Sequence, residues 1–234
     1  MLNLSVLLED SARKYPDRDA LVLGPTRLSY AQVNAAANQV ANLLVERGVQ
    51  PGDKVALSCP NLPWFPIVYY GILKAGAVVG SLNVLPKGRE IAYHLRDADV
   101  TTFFCFEGTA ELPMSAEGFA AFREADAVEH FFLITADAAA PSPIDGAETL
   151  GAALTGTGTK FEPVPTEATD TAIILPTSGT TRQAKGAELS HVSTAAVMPK
   201  TLRRLCVRRL RRAGSTQWHV RRESRWCARW RVVP

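Results

Sequence analysis

Apolar positions in the first 135 residues alternate between a helical spacing and short continuous runs. A helix with one buried face is predicted by apolar residues that recur every three or four positions, namely Val33, Ala37, Val40 and Leu44. Short apolar runs predict strands at 55–58, 78–79, 101–106 and 131–135. Further helices are predicted between them, one reaching Ala75 and one over 89–96. This alternation is typical of right-handed crossovers, so we predict an α/β fold with a mainly parallel sheet covered by helices.

Local signals predict where these helices begin and end. Ser29 and Gln32 have the spacing of a capping box, in which each side chain bonds the backbone of the other residue. Gly48 is placed to end that helix, because glycine adopts the left-handed conformation of a C-terminal turn. Asn61 is predicted to cap the next helix, whose two early prolines fit only near a first turn.

The N-terminal residues MLNLSVLLEDSARKYP predict an amphipathic helix that ends before Pro16. They lack the basic start of a signal peptide, and no apolar run approaches the eighteen residues of a membrane span. The cysteines are scattered without metal-binding spacing, at Cys59, Cys105, Cys206 and Cys227. We therefore expect free thiols and a cytoplasmic location.

Chemistry is concentrated after residue 170. The stretch 136–170 is rich in Ala, Pro, Gly and Thr, which predicts a surface connection with a short helix at 150–154. The buried strand predicted at 171–175 then leads into PTSGTTRQAKGAELSH. Hydroxyls, glycine and a following lysine suit a polyphosphate, especially if a helix begins nearby. The loop is not a Walker A motif, because Ala184 precedes Lys185 and Gly186 follows it. From the residues alone it is a generic anion site.

This stretch resembles the phosphate-loop signature of the adenylate-forming superfamily of acyl-CoA synthetases, adenylation domains and luciferases, T-S-G-T-T-G-x-P-K-G. The upstream segments LSYAQVNAAANQVANLLVERGVQPGDKVAL, PNLPWFPIVYYGILKAGAVVGSLN and GREIAYHLRDADVTTFF are also similar to successive N-terminal segments of that family. Gly48 to Val55 is particularly characteristic. The resemblance covers roughly residues 4–191.

The resemblance implies a two-step ligase that uses ATP, Mg²⁺ and CoA. A carboxylate, from a fatty acid by the nearest resemblance, would attack the α-phosphate of ATP, and the CoA thiol would then take the acyl group. The loop would hold the β- and γ-phosphates. The phosphate-binding residues that it implies are Thr177, Ser178, Gly179, Thr180, Thr181, Lys185 and Gly186.

The loop departs from the family pattern at three positions. Arg182 replaces a glycine, Ala184 a proline, and Pro176 a residue that is often aromatic. A side chain at a glycine position with positive φ costs about 1–2 kcal/mol, so we expect weakened ATP binding.

The composition divides the chain into 1–191 and a basic tail, 192–234, and the resemblance implies that 1–191 is a partial N-terminal AMP-binding domain. Residues 1–191 hold 14 Lys+Arg and 22 Asp+Glu, whereas 192–234 hold 12 Lys+Arg and Glu223 alone. The tail also holds Trp218, Trp226 and Trp230. Nucleic-acid or anionic-membrane binding is one interpretation. An abrupt change of composition where the resemblance ends favours the other, out-of-frame translation of a GC-rich gene.

Three functional hypotheses follow from this division. The first is an N-terminal fragment of an acyl-CoA synthetase that is inactive alone, since the family places its adenine, ribose and C-terminal lysine segments downstream. The second is a nucleic-acid-binding protein that acts through residues 200–231. The third is a non-catalytic interaction fragment. Structural roles are predicted for the remaining conspicuous residues, namely His94, His130, Cys59, Cys105, Trp64, Tyr69 and Tyr70.

Overall fold

The computed structural model describes residues 2–85, 87–177 and 185–196. Its helices are α1 Val6–Lys14, α2 Tyr30–Glu46, α3 Trp64–Lys74, α4 Gly88–Asp97, α5 Met114–Glu124 and α6 Leu150–Ala153, and residues 191–196 are also helical. Its strands are β1 Asp19–Leu23, β2 Thr26–Ser29, β3 Lys54–Ser58, β4 Val78–Ser81, β5 Val100–Phe106, β6 His130–Ile134, β7 Glu148–Thr149, β8 Thr171–Thr177 and β9 Lys185–Ser190. Within these ranges, no helix combines the length and apolarity needed to cross a membrane.

The strands form an antiparallel hairpin, β1–β2, and a seven-stranded sheet in the order β7-β6-β5-β3-β4-β8-β9. Neighbours in the large sheet are parallel except β8 and β9, which are antiparallel. The predicted α/β fold with a mainly parallel sheet is therefore confirmed. The β1–β2 hairpin, α5, β7 and β9 were not predicted from the sequence.

The two faces of the large sheet are covered by different helices. The crossover from β3 to β4 through α3 runs one way, and the crossover from β4 to β5 through α4 runs back past β3. Because both are right-handed, α3 and α4 lie on opposite faces. We call these the α3 face and the α4 face. On the α3 face, α2 packs so closely on α3 that a Cβ on Gly71 would lie 2.6 Å from Val40.

Strand register identifies the residues of the α4 face. A Cβ on Gly118 of α5 would lie 3.5 Å from the Phe103 ring, and Phe103 pairs with Ala56 of β3. Ala56 pairs with Gly80 of β4, which pairs with Ile174 of β8. Since paired residues point to the same side of a sheet, these strand residues share the α4 face. Ala56 is buried, but Ile174 is only partly covered, so the helical cover thins out beyond β4.

Most local signals are confirmed. The Ser29–Gln32 capping box is present in both directions, and Gly48 ends α2 with φ +84°. The predicted cap at Asn61 is wrong, because Pro63 occupies the cap position and no side chain bonds this helix end. The chain instead enters α3 through a turn in which the Phe65 amide donates to the Leu62 carbonyl.

Side-chain amides on α2 hold the long connection between α6 and β8. Asn38 donates to the Thr159 carbonyl at 2.9 Å, and Asn42 donates to the carbonyls of Gly158 and Lys160 at 2.6 and 3.0 Å. These contacts reach only backbone atoms of the connection. They fix its path across the helix without any requirement on its side chains.

A clasp joins the N-terminal residues to the end of the described body. Asn3 donates to the Leu73 carbonyl at 2.7 Å, and the Leu4 amide donates to Nδ1 of His191 at 3.1 Å. Lys74 has a fully buried side chain and forms an ion pair with Glu9, which is 34% exposed. Burial lowers the pKa of Lys74 to about 8, although the Glu9 carboxylate favours the charged form.

The ion pair predicts unequal effects when each partner is removed. Glu9→Gln leaves a buried ammonium without a counter-charge and should lower the free energy of unfolding by about 2 kcal/mol. Lys74→Met replaces the buried cation with an apolar chain of similar length and should change it by less than about 1 kcal/mol. Denaturant unfolding of both variants measures the difference. Equal losses would contradict this account.

His191 predicts a loss of stability on mild acidification. Burial lowers its pKa below the ordinary 6.5, and the Asp170 carboxylate opposes that shift. Below about pH 6.5 the unfolded chain therefore binds more protons at this residue than the folded chain, and stability falls as the pH drops. His191→Asn keeps an acceptor for the Leu4 amide but does not titrate. The decline in melting temperature from pH 7.5 to 5 should be smaller in this variant, and an unchanged decline would count against the buried histidine.

Candidate functional site

The predicted phosphate-binding residues run from the end of β8, through the connection that follows it, to the start of β9. We call this part of the chain the hairpin. Thr177 ends β8, Lys185 begins β9, and the two are Cα partners in the antiparallel ladder. The intervening residues 178–184 contain Ser178, Gly179, Thr180 and Thr181, together with the substituted Arg182 and Ala184, and lie outside the described residues. The structure thus brings the two ends of the motif side by side.

The element after the loop is a strand, so the expected nearby helix is wrong. Ala187 pairs with Leu175, and Glu188 pairs with Ile174, which continues the ladder to Ser190. Helical structure begins only at residue 191. The physical reason is that backbone groups of residues 186–190 form hydrogen bonds with the backbone of β8 along the antiparallel ladder. Among the described residues, the helix that follows the motif therefore begins six residues after Lys185.

The hairpin lies at the edge where the parallel strands end. β8 runs parallel to β4, and β4 runs parallel to β3, so their carboxyl ends share one side of the sheet. In open α/β sheets, ligands bind beyond these carboxyl ends, where the connecting loops leave the strands. The position of residues 177–185 fits that rule.

Gly186 has a packing role that the motif did not reveal. It pairs with Pro176, and a Cβ built on it would lie 2.8 Å from Cγ2 of Ile174. Real Cβ atoms do not approach a branched side chain so closely. Glycine is therefore required for β9 to pack beside β8.

The α4 face carries a groove that begins at the base of this hairpin. Its volume is about 250 Å³, and its lining includes Gly80, Asp97, Pro176, Gly186 and Glu188. It continues into a second hollow of about 540 Å³ towards the amino ends of the strands, because both are lined by Lys54, Ile174 and Glu188. Sequence reasoning missed the groove, since its lining comes from six separate elements, among them the unpredicted β9.

The groove is acidic. Its carboxylates are Asp97, Asp99, Asp170 and Glu188, against the single Lys54, the partly buried His94 and the buried His191. Within the described ranges none of these carboxylates forms an ion pair. Thr171 donates to Glu188 at 2.8 Å, and Tyr93 donates to Asp97 at 3.4 Å. Such a surface repels polyphosphate and suits cationic groups.

No group of three or more His, Cys, Asp or Glu side chains in residues 2–85, 87–177 and 185–196 has the arrangement of a metal site.

His130 and the two described cysteines have structural surroundings. Nε2 of His130 lies 2.9 Å from the Arg47 carbonyl oxygen. Cys59 and Cys105 are buried free thiols, and burial raises the pKa of each to about 12. Thiols with such high pKa values are poor nucleophiles at neutral pH.

The sequence profile of the AMP-binding enzyme family matches residues 8–218. The chain belongs to the AMP-binding enzyme family. Its curated relatives include an oxalate–CoA ligase of Arabidopsis thaliana, 32% identical over 82% of the chain, and a crotonobetaine/carnitine–CoA ligase of Salmonella typhi, 32% identical over 81%. The chain spans 36% of the length of each. A long-chain-fatty-acid–CoA ligase of Bacillus subtilis is 36% identical over 44% of the chain and 19% of its own length.

Solved structures agree with this family membership. An anthranilate CoA ligase, AuaEII, in complex with anthranoyl-AMP superposes with a TM-score of 0.73 at 25% identity. It matches 81% of the chain and 35% of its own length. Apo MatB from Rhodopseudomonas palustris gives a TM-score of 0.71 at 28% identity, over 88% of the chain and 38% of its own length. The α/β body is thus the fold of the N-terminal domain of adenylate-forming enzymes.

The close approach at Gly186 predicts a strong effect of one methyl group. Gly186→Ala should lower the free energy of unfolding by about 1–3 kcal/mol, because the added Cβ overlaps Ile174. Gly80→Ala is the matched control on the same face, since its Cβ would meet atoms only at 3.6 Å. Ile174→Leu removes the Cγ2 branch and should partly rescue Gly186→Ala. Denaturant unfolding tests all three, and a harmless Gly186→Ala would refute the packing role.

Proposed function

We propose that this chain is part of an AMP-forming ligase that converts a carboxylic acid into an acyl-adenylate and then an acyl-CoA. The observation that carries the proposal is the pairing of Thr177 with Lys185 at the carboxyl edge of the sheet, inside the residues that match the family. The pairing places the two ends of the hydroxyl-rich motif side by side, at the edge where α/β proteins bind nucleotides.

The chemistry assigned to the hairpin is stabilisation of the departing pyrophosphate. When the carboxylate attacks the α-phosphate of ATP, negative charge moves onto the β- and γ-phosphates. Hydroxyls of Ser178, Thr180 and Thr181 and the Lys185 ammonium would donate to these oxygens, and Mg²⁺ carried by ATP would offset part of the charge. The acidic groove below the hairpin would discourage the phosphates from binding there, because like charges repel.

A fatty acid is the substrate that we propose, on the strength of the sequence resemblance and of the Bacillus subtilis relative. The other relatives include ligases for oxalate and for crotonobetaine or carnitine. The complete reaction is proposed for a whole enzyme, since the chain spans 36% of the length of these two relatives. Inactivity of the chain alone, a boundary at residue 191 and a cytoplasmic location stay predictions.

Exchange of the loop in a full-length relative tests the role of the hairpin. We expect residues 182–185, Arg-Gln-Ala-Lys, to weaken ATP use when grafted into the MatB enzyme, whereas Gly-Gln-Pro-Lys should preserve it. Arg182 adds a side chain where the family has glycine, at a cost of about 1–2 kcal/mol if that residue has positive φ. The measurement is carboxylate-dependent release of pyrophosphate from ATP.

Lys185→Ala in the Gly-Gln-Pro-Lys graft is the control for phosphate contact. It should lower the rate of adenylate formation strongly, because a charge-assisted contact is lost while the glycine and the proline of the family pattern are kept. Full activity of the first graft would overturn the account of Arg182. Full activity of the lysine variant would overturn phosphate binding by the hairpin.

A further inference from the structure

The acidic groove on the α4 face has no role in the proposed phosphate chemistry. Its four carboxylates come from α4, the turn after it, the loop before β8, and β9. Ile174 and Pro176 lie between them, partly exposed on the sheet surface. This surface combines carboxylate oxygens, which can bind cations, with partly exposed apolar side chains. It suits a polypeptide segment that carries both basic and aromatic side chains.

The chain itself contains a segment of that composition. Residues 200–231 hold 12 Lys+Arg, one acidic residue and three of the four tryptophans. Arginine can meet a carboxylate through two parallel hydrogen bonds, and its planar group also stacks on indole rings. The preceding residues 1–191 have eight more acidic than basic groups. The two parts of the chain are therefore complementary in charge.

The last described residues of the chain follow directly from the groove. His191 lines the hollow at the amino ends of the strands, and it begins the helical residues 191–196. The 38 residues after 196 are more than long enough to reach back along the sheet. A tethered segment reaches an effective concentration near the millimolar range, so even weak charge pairs favour docking within one molecule.

We propose that the groove lined by Asp97, Asp99, Ile174, Pro176 and Glu188 is the docking site of the chain's own basic segment, residues 200–231. The inference is independent of the proposed ligase activity, since it rests on the charge, the position and the partial exposure of the groove. It assigns residues 200–231 an intramolecular partner in place of nucleic acid.

Tryptic cleavage within residues 200–231 tests the docking, because an arginine held in the groove is shielded from the protease. The groove variant is Asp97→Asn with Asp99→Asn and Glu188→Gln. Each change removes a charge but keeps an acceptor, and asparagine tolerates the φ of +49° at residue 99. The matched control, Asp17→Asn with Asp126→Asn and Glu129→Gln, makes the same charge change at exposed residues outside the groove.

The groove variant should raise the initial rate of cleavage in the segment by about tenfold, as expected for the loss of several weak charge pairs. The control should change it by less than about twofold, since only net charge differs. Intact-mass spectrometry of the full chain counts these cleavages separately from those in the body. Equal rates in both triple variants would overturn the proposal.

Other occupants give distinct results. Protection that grows with protein concentration would assign the groove to a second copy, and protection lost after nuclease treatment would assign the basic segment to nucleic acid. Either result overturns intramolecular docking.

If the groove variant does not fold, the salt dependence of tryptophan emission in the Trp64→Phe variant tests the docking instead. The remaining tryptophans of this variant all lie in residues 200–231. Their emission should shift to the red as salt rises from 0.05 to about 0.5 M, and a constant emission would contradict the proposal.

Discussion

The need to bury both faces of the central parallel strands governs this structure. β3 lies between β5 and β4, and residues 55–58 are all buried. Parallel strands in such a position need helices above and below, because backbone and side chains there have no access to water. The chain meets this need by reversing direction after β4, which sends α3 to one face and α4 to the other. Because of the same reversal, the helical cover of the α4 face thins out beyond β4. The groove therefore results from the strand order.

Features set by neighbouring residues could be predicted from the sequence. The capping box at Ser29, the end of α2 at Gly48 and the buried strands 55–58 and 101–106 depend on spacings of a few residues. β9 could not be predicted in this way. Its residues Lys-Gly-Ala-Glu-Leu-Ser form a short run of low β-propensity, and they become a strand through pairing with β8. Propensity was overridden by tertiary contact.

In the candidate site, too, some features are set by neighbouring residues and others by tertiary pairing. The identity of the loop residues could be predicted from the motif, but the adjacency of Thr177 and Lys185 depends on a ladder that no local signal specifies. Gly186 looked like a phosphate residue, whereas its neighbour Ile174, twelve positions away, supplies a steric reason for glycine. The acidic groove brings together Asp97 and Glu188 across most of the sheet. Such constellations arise only after the order of the strands is known.

The amides of Asn38 and Asn42 have a consequence for variation in this protein. They bind three consecutive carbonyl oxygens of Gly158, Thr159 and Lys160 and touch none of their side chains. A substitution in this stretch leaves every one of these bonds in place, provided that the backbone keeps its path. A deletion of one residue shifts all three carbonyls past their donors at once and leaves the amide of the buried Asn38 without its acceptor. The number of residues in this stretch is thus more tightly constrained than the identity of the side chains at 158–160.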